Sequence, residues 1–401
     1  MLPVVIFDDR TEALDALIDL RPTFDIRTGC FTTRRRIEHA ASVAAGALFT
    51  PHDLAPLAIE PGDSKLNTWP DGDEYLLISG RCVLPPDEIW TLERGHALRD
   101  TNTGDIIAAR LQRTDAQSFF EHGDQSGMTT FHDVETPCLL QRPWDVIRFR
   151  NDAILRDLQA IGAGLPTHVA EGVTVMAEAP IHVHATATIA PGVVLDATHG
   201  AIAIDRGATV RPGAIIVGPA YVGEQSTVLE HALIKANTAI GPVCKVAGEV
   251  GGSILQSHSN KGHDGHIGDT WIGQWVNLGA GTTNSNLLNT YGEVTAACSP
   301  RSRRERTGLT FFGAIIADHV KTAICTKLMT GSVIGLGAMI ACTAPPPTSV
   351  RRFAWLTDAG ESRFRLDRFF DAADRMMERR SMSISPELRR RLEALHDDQA
   401  D

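Results

Sequence analysis

No two cysteines in this chain are spaced as CxxC, and their number is odd. Cys30, Cys82, Cys138, Cys244, Cys298, Cys325 and Cys342 are scattered over 401 residues. That excludes a small disulfide-stapled scaffold and predicts free, mostly buried thiols in a reducing compartment. Positive charge is also short. A formal net charge of −11 argues against nucleic acid or an anionic membrane as the main partner. No apolar run reaches the roughly 18 residues that a bilayer needs. The opening MLPVVIFDDR places acids straight after a short apolar stretch, unlike a secretory leader. The expectation is a cytoplasmic protein.

What is present reads as globular. Hydrophobic residues are 43% and charged residues 22%, an ordinary balance for a folded domain. The length suggests two or three domains, each able to bury a core without metal or disulfides.

A repeat organises the C-terminal half. Aliphatic residues stand six apart at Ile204, Val210, Ile216, Val222, Val228, Ile234, Ile240 and Val246. The spacing also occurs at Val183, Ile189 and Leu195, at Ile272 and Leu278, and at Leu328, Ile334 and Ile340. Small residues follow four places later, as at Ala208, Ala214, Ala220, Ser226, Ala232 and Thr238. This period suits neither an α-helix nor an alternating strand, but it suits hexapeptide repeats. Each hexad gives one short strand and one corner of a triangular prism, with the aliphatic residue inside. The spacing predicts a left-handed parallel β-helix over 166–345, closed by the run Ala344-Pro-Pro-Pro347. The stretches Gly251–His266 and Asn284–Phe312 leave the register and are expected to be loops thrown out from the prism.

Residues 1–160 lack the repeat. Apolar runs at Pro3–Phe7, Tyr75–Ile78 and Asp105–Ala108 alternate with helix-like segments such as Thr33–Ala45, which predicts an α/β domain. In 361–399, Asp367–Arg380 and Ser385–Asp397 read as amphipathic helices, and Ser385-Pro386 is a helix start.

The richest chemistry lies in Asn260-Lys-Gly-His-Asp-Gly-His266 and in Asn277-Leu-Gly-Ala-Gly281. A neutral histidine such as His263 or His266 suits a general base that takes a proton from an amine or hydroxyl. Lys261 would hold a phosphate. Gly279 and Gly281 would let backbone N–H groups approach a ligand.

At these residues the chain resembles a known family. The matching strings are Phe7-Asp-Asp-Arg10, Arg21-Pro-x-x-Asp-Ile-Arg-x-Gly29, Gly80-Arg81 with Leu84-Pro85, Pro143-Trp-Asp145 with Asn151, Ser259-Asn-Lys-Gly-His-Asp-Gly265 and Asn277-Leu-Gly-Ala280. Together they resemble the GlmU-like sugar nucleotidyl transferase family, short relatives of a bifunctional uridylyltransferase and glucosamine-1-phosphate acetyltransferase. The resemblance implies an α/β nucleotidyltransferase-like domain, a left-handed β-helix and C-terminal helices. It implies transfer from acetyl-CoA to an amino-sugar phosphate in nucleotide-sugar and cell-envelope precursor synthesis, by a homotrimer.

Residue by residue, the resemblance makes His263 the catalytic base and Glu249 its acidic support. Asn277 and Asn286 contact the sugar, and Ala280 with Gly279 lines the acetyl-CoA cleft. His266 stands where the family has a substrate-contacting tyrosine. The family's phosphate-binding lysine falls on Gly251, which leaves Lys245 as the alternative carrier of that charge.

The N-terminal half departs further. The Gly-Thr-Arg loop and Pro-Lys pair that cradle a nucleotide in this family are absent. Arg10, Arg21 and Arg27, together with Arg81, are the expected nucleotide-phosphate ligands, and Arg34 is a further local cation. Arg81 falls where a Mg²⁺-binding aspartate is expected, and a cation there cannot hold Mg²⁺ directly. UTP or another nucleoside triphosphate, with Mg²⁺, is a partner only if this half is active.

Two other readings compete. His258 and His263, with His266 nearby, resemble the zinc-binding pair of trimeric β-helix carbonic anhydrases. Alternatively, the altered substrate residues fit a non-catalytic trimeric scaffold or sugar-nucleotide sensor.

Overall fold

The computed structural model describes residues 2–58, 62, 64–162 and 171–398. The expected domain start at 166 and the tail end at 399 therefore lie outside the described residues. Two compact units emerge, one of Met1–Glu12, Leu20–Ile26 and Phe31–Gln141, the other of Ala13–Asp19, Arg27–Cys30 and Arg142–Asp401. The expected boundary near 160 thus falls inside the second unit, because helix Arg150–Gly162 packs on strands Ile202–Ile204 and Ala220–Val222.

The first unit is built on a mixed sheet of seven strands. Val4–Phe7 lies in its interior, parallel to Ala47–Phe49 on one side and to the central strand Glu74–Ser79 on the other. Val4, Ile6, Leu76 and Ile78 bury one face, while Val5, Phe7, Tyr75 and Leu77 bury the other. A strand covered on both faces reads as an unbroken apolar run, and this is why Pro3–Phe7 was legible as one. Phe7 registers against Ser79. The residues after both strands, Asp8-Asp9-Arg10 and Gly80-Arg81, therefore emerge together at the carboxyl edge, where open α/β sheets place their ligands.

The second unit is a parallel β-helix. Its three faces are sheets of ten, six and nine strands. Successive hexads land on successive faces. Ile204, Val222 and Ile240 stack in one column, Val210, Val228 and Val246 in a second, and Ile216, Ile234 and Val250 in a third. All nine are at most 1% exposed. Burying each such side chain contributes roughly 1.5–3 kcal/mol, which makes the repeat the main source of the unit's stability.

Two expectations about the coil are corrected. Gly251–His266 does not leave the prism. Ile240 stacks on Leu255, three residues short of the hexad register, and Val246 on Lys261. One coil is shortened at its corners, so the periodicity slips while the ladder continues. Nor does the proline run end the prism. Ser349–Val350 pairs with Ser332–Ile334, and Ala354–Thr357 with Met339–Ala341. The prolines occupy a corner between strands, where no ladder donor is missed. The other break is a true insertion. Thr295–Ala296 pairs antiparallel with Glu305–Arg306, and the coil resumes when Ala314–Ile316 joins Trp271–Gln274.

Two short N-terminal pieces count with this unit. The Trp271 indole N–H donates to the Arg27 carbonyl at 3.1 Å. Arg352 donates to both Asp19 oxygens at 2.8–3.1 Å and to Asp15 at 2.7 Å. The C-terminal helices are Leu366–Glu378 and Pro386–Asp397. Ser385 caps the latter by accepting from the Leu388 N–H at 3.1 Å, as its Ser-Pro start implied. Among the described residues no helix is long and apolar enough to cross a membrane. None of the seven cysteines forms a disulfide.

Candidate functional site

His263 sits at a corner between strands Asn260–Lys261 and His266–Gly268. The corner is clamped from both sides. A side chain on Gly248 would meet the Asp264 Cα at 2.9 Å and the His263 carbonyl at 3.0 Å. Gly265 has a φ of +107°, and a side chain there would run into the Thr282 carbonyl. Only glycine fits both positions. From inside the coil, Lys261 Nζ donates to the carbonyls of Ala247 at 3.1 Å and Asp264 at 2.9 Å, and also to that of His263. The backbone of the corner is fixed, yet the His263 side chain is exposed.

This changes the role of Lys261. It was expected to hold a phosphate, but it is 2% exposed and its three N–H groups are taken by three carbonyls. Burial pushes its ammonium down to about 8, against the opposing charge of Asp264. Such a group positions the turn and does not reach a ligand.

Glu249 registers beside His266, with its Oε1 at 3.4 Å from His266 Nδ1 and at 3.2 Å from Lys235 Nζ. The structure therefore brings Glu249 to His266, the first histidine after the corner, and gives it no hydrogen bond to His263. Asn286 donates to Asp269 at 2.6 Å, and Asp269 accepts from Arg150 at 2.7 Å. Gly279 is glycine because Ala323 comes within 2.6 Å of where a side chain would start. Its N–H donates to Thr322, at 3.2 Å to the carbonyl and 3.0 Å to the hydroxyl. That N–H is thus spent in the ladder and is not offered to a ligand. Ala280 lies next to it at the corner, its carbonyl accepting from Cys325 N–H at 2.7 Å.

A cleft of about 390 Å³ opens on the neighbouring face. Its floor is one column of side chains, because Lys245 registers with Asn260, Asn260 with Asn277, and Asn277 with Lys321. Asn260 donates to Asn277 at 2.9 Å. The His258 ring stacks on Trp275 at 4.6 Å between centroids. Arg375, Arg379 and Arg380, at the end of helix Leu366–Glu378, complete the lining. Of these residues only Lys245 and Asn277 were singled out as substrate-binding. Asn260 and Lys321 were hidden by the register slip and by the insertion. The arginines read as the solvated face of an amphipathic helix.

In the first unit Arg81 is not a free phosphate ligand. Its guanidinium donates to Asp9 at 2.7 Å, to Asp105 at 3.1 Å, to Gln141 at 3.0 Å and to the Leu140 carbonyl at 3.2 Å. Burial pushes the Asp9 carboxyl up, against the pull of Arg81. Burial also acts to raise Asp105, but hydrogen bonds from Gln141 and Arg81, with the charge of Arg81, hold it low. Mg²⁺ does not fit this arrangement, since both carboxylates already face a fixed cation. Nor is Arg27 available. Its backbone N–H donates to Gln256 Oε1 at 2.7 Å, and its side chain to the Gln256 carbonyl at 3.0 Å. Arg21 is 1% exposed, and Arg10 donates to Asp8 at 3.1 Å. The four arginines expected to bind a nucleotide are thus drawn into internal contacts.

Comparison with known proteins agrees with the motif reading. Residues 4–165 match a family model described as sugar nucleotidyl transferase. The bifunctional protein GlmU of Azoarcus sp. (strain BH72) is 24% identical over 77% of this chain and 75% of its own length. The GlmU of Ralstonia nicotianae is 28% identical over 82% of this chain and 74% of its own. Among solved structures, the acetyltransferase domain of PglB from Neisseria gonorrhoeae FA1090 covers 62% of this chain and 91% of its own, at 15% identity and a TM-score of 0.20. The resemblance to GlmU-like transferases therefore extends over most of the chain.

Proposed function

We propose that the β-helix unit transfers an acetyl group from acetyl-CoA to the amine of an amino-sugar phosphate. The observation that carries this reading is the clamped corner. Its backbone is fixed by Gly248, Gly265 and Lys261, yet it presents an exposed imidazole at His263. A general base needs a fixed position and access to its substrate.

In this reading the amine nitrogen attacks the thioester carbonyl and a C–N bond forms. The C–S bond breaks, the coenzyme leaves as its thiolate, and His263 takes the proton from the amine. Glu249 acts through His266, which contacts the acceptor. Asn277 and Asn286 orient the sugar, Lys245 faces its phosphate, and Ala280 with Gly279 shapes the acetyl-CoA side of the cleft. The active form is a homotrimer with sites between neighbouring prisms. In the first unit, Arg81 stands in place of a metal ligand and is paired with Asp9 and Asp105, which argues against Mg²⁺-dependent nucleotidyl transfer from UTP.

The test is acetyl-CoA turnover against a panel of amino sugars, in the wild type and in His263→Ala. Loss of the base should lower the rate by roughly a hundred- to ten-thousand-fold. An unchanged kcat would remove His263 from the mechanism. No turnover by the wild type with any acceptor would favour the scaffold or sensor reading. For the zinc hydratase reading, metal analysis is decisive. In the structure His258 faces Trp275 and Ser257, and no three metal-ligating side chains converge among the described residues.

A further inference from the structure

We infer that the cleft between the Lys245–Lys321 column and helix Leu366–Glu378 is a binding site for a small molecule carrying clustered phosphates. The cations come from two separate elements. Lys245 and Lys321 stand on the sheet, and Arg375, Arg379 and Arg380 stand at the helix end. No carboxylate lies within ion-pairing distance of any of the five among the described residues. Elsewhere in the chain arginines are paired with acids, as Arg352 is with Asp19 and Arg150 with Asp269.

A helix C-terminus by itself attracts basic residues through its dipole. That would account for the arginines and not for the two lysines opposite them. Gathering five cations around one cavity, in a chain with a net charge of −11, costs self-repulsion that a bound polyanion removes. The cavity is also part-desolvated. Burial pushes the Lys321 ammonium down to about 8, and burial with Arg380 pushes His258 down to about 4. Removal from water strengthens a charge-assisted hydrogen bond to phosphate. The stacked His258–Trp275 pair gives the cleft an aromatic wall, a surface for a planar base. Phosphates on the cations and a flat ring on that wall describe a nucleotide-type ligand.

The site shares Lys245 and Asn277 with the proposed acceptor site, so the inference deepens that reading by bringing in the helix. Calorimetric titration of the full chain at low ionic strength tests it. The probes are inorganic pyrophosphate, adenosine 3′,5′-bisphosphate and adenosine. Both phosphate probes should saturate one site per chain and displace each other, the bisphosphate binding the tighter because its base meets the aromatic wall, and adenosine alone should compete far more weakly than either. The double variant Arg375→Gln/Arg379→Gln should weaken both at least tenfold, and raised salt should do the same. Both side chains are exposed, so the helix is expected to stay folded, which circular dichroism checks. Lys245→Gln, on the opposite wall, provides a second reading should the helix detach. Failure of pyrophosphate to saturate, or equal affinity in the wild type and both variants, would overturn the inference. Failure of the acetyl-transfer reading is seen separately, as unchanged turnover in His263→Ala while phosphate binding persists.

Discussion

Lys261 Nζ donates to the Asp264 carbonyl at 2.9 Å from within the hydrophobic coil, directly above Val246 in the ladder. A charge in that column costs desolvation, and three carbonyls offset it by matching its three N–H groups. The arrangement ties the corner that carries His263. In Lys261→Met the carbonyls lose their donor, at about 1–3 kcal/mol for a buried group left unsatisfied. The expected outcome is a lower melting temperature together with a fall in kcat that exceeds any rise in the acceptor KM. A variant that melts lower but keeps its kcat would make Lys261 purely structural.

Arg81 bridges Asp9 and Asp105 in the first unit, and it is 4% exposed. Removing the guanidinium strands the Asp9 carboxylate, whose side chain is only 21% exposed. Breaking a buried pair from one side typically costs about 3–5 kcal/mol, and the half-open Asp105 adds little to that. Arg81→Ala should therefore destabilise the unit strongly, while Arg81→Ala/Asp9→Ala should recover part of the loss. In the wild type, Mg²⁺ titrated with UTP present should produce no nucleotidyl product. Product formation that depends on Mg²⁺ would show that the metal finds other ligands in this unit.

The prism was legible because a period of six is imposed by its geometry. Each hexad must turn one corner, and Ile204, Val210 and Ile216 fall on three different faces. The register slip at Leu255 was misread as an extruded loop. A shortened coil and a loop look alike to periodicity, and only the ladder separates them. The motif singled out the exposed His263, but it gave no sign that Lys261 beside it is buried. A lysine beside a histidine in a Gly-rich string reads as a ligand unless its column is known. The cleft was least visible. Lys245, Asn260, Asn277 and Lys321 are unevenly spaced in the chain because a short coil and a long insertion separate them, and the arginines come from a helix far along it.

Ile324 is 72% exposed and Phe311 is 53% exposed on the β-helix unit. In the proposed trimer these side chains belong to the face that a neighbouring prism covers. With the proposed trimer in view, Ile324→Asp should shift the protein from trimer toward monomer in sedimentation equilibrium. Because sites between prisms need both neighbours, acetyl transfer should fall in parallel with the trimer fraction. A wild type that is monomeric at micromolar concentration and still active would rule out shared sites. A variant that is monomeric and fully active would do the same.

His258 offers the sharpest test of the cleft's electrostatics. Burial, and then the charge of Arg380, push its folded pKa down to about 4, against about 6.5 for an ordinary histidine. Between those two values the unfolded chain takes up a proton that the folded His258 refuses. Stability should therefore fall as the pH drops from about 6.5 toward 4 and be fully recovered above 6.5, with a contribution from this residue of at most about 1.4 kcal/mol per pH unit. His258→Gln keeps a polar side chain beside Ser257 and removes the titration. Its melting temperature should depend less steeply on pH across that window than the wild type's. Arg380→Gln should act in the same direction but by less, because burial is the larger cause and remains. Parallel pH profiles for the wild type and His258→Gln would mean that the imidazole reaches water in solution. The stacked pair with Trp275 would then not be the wall of a desolvated cleft.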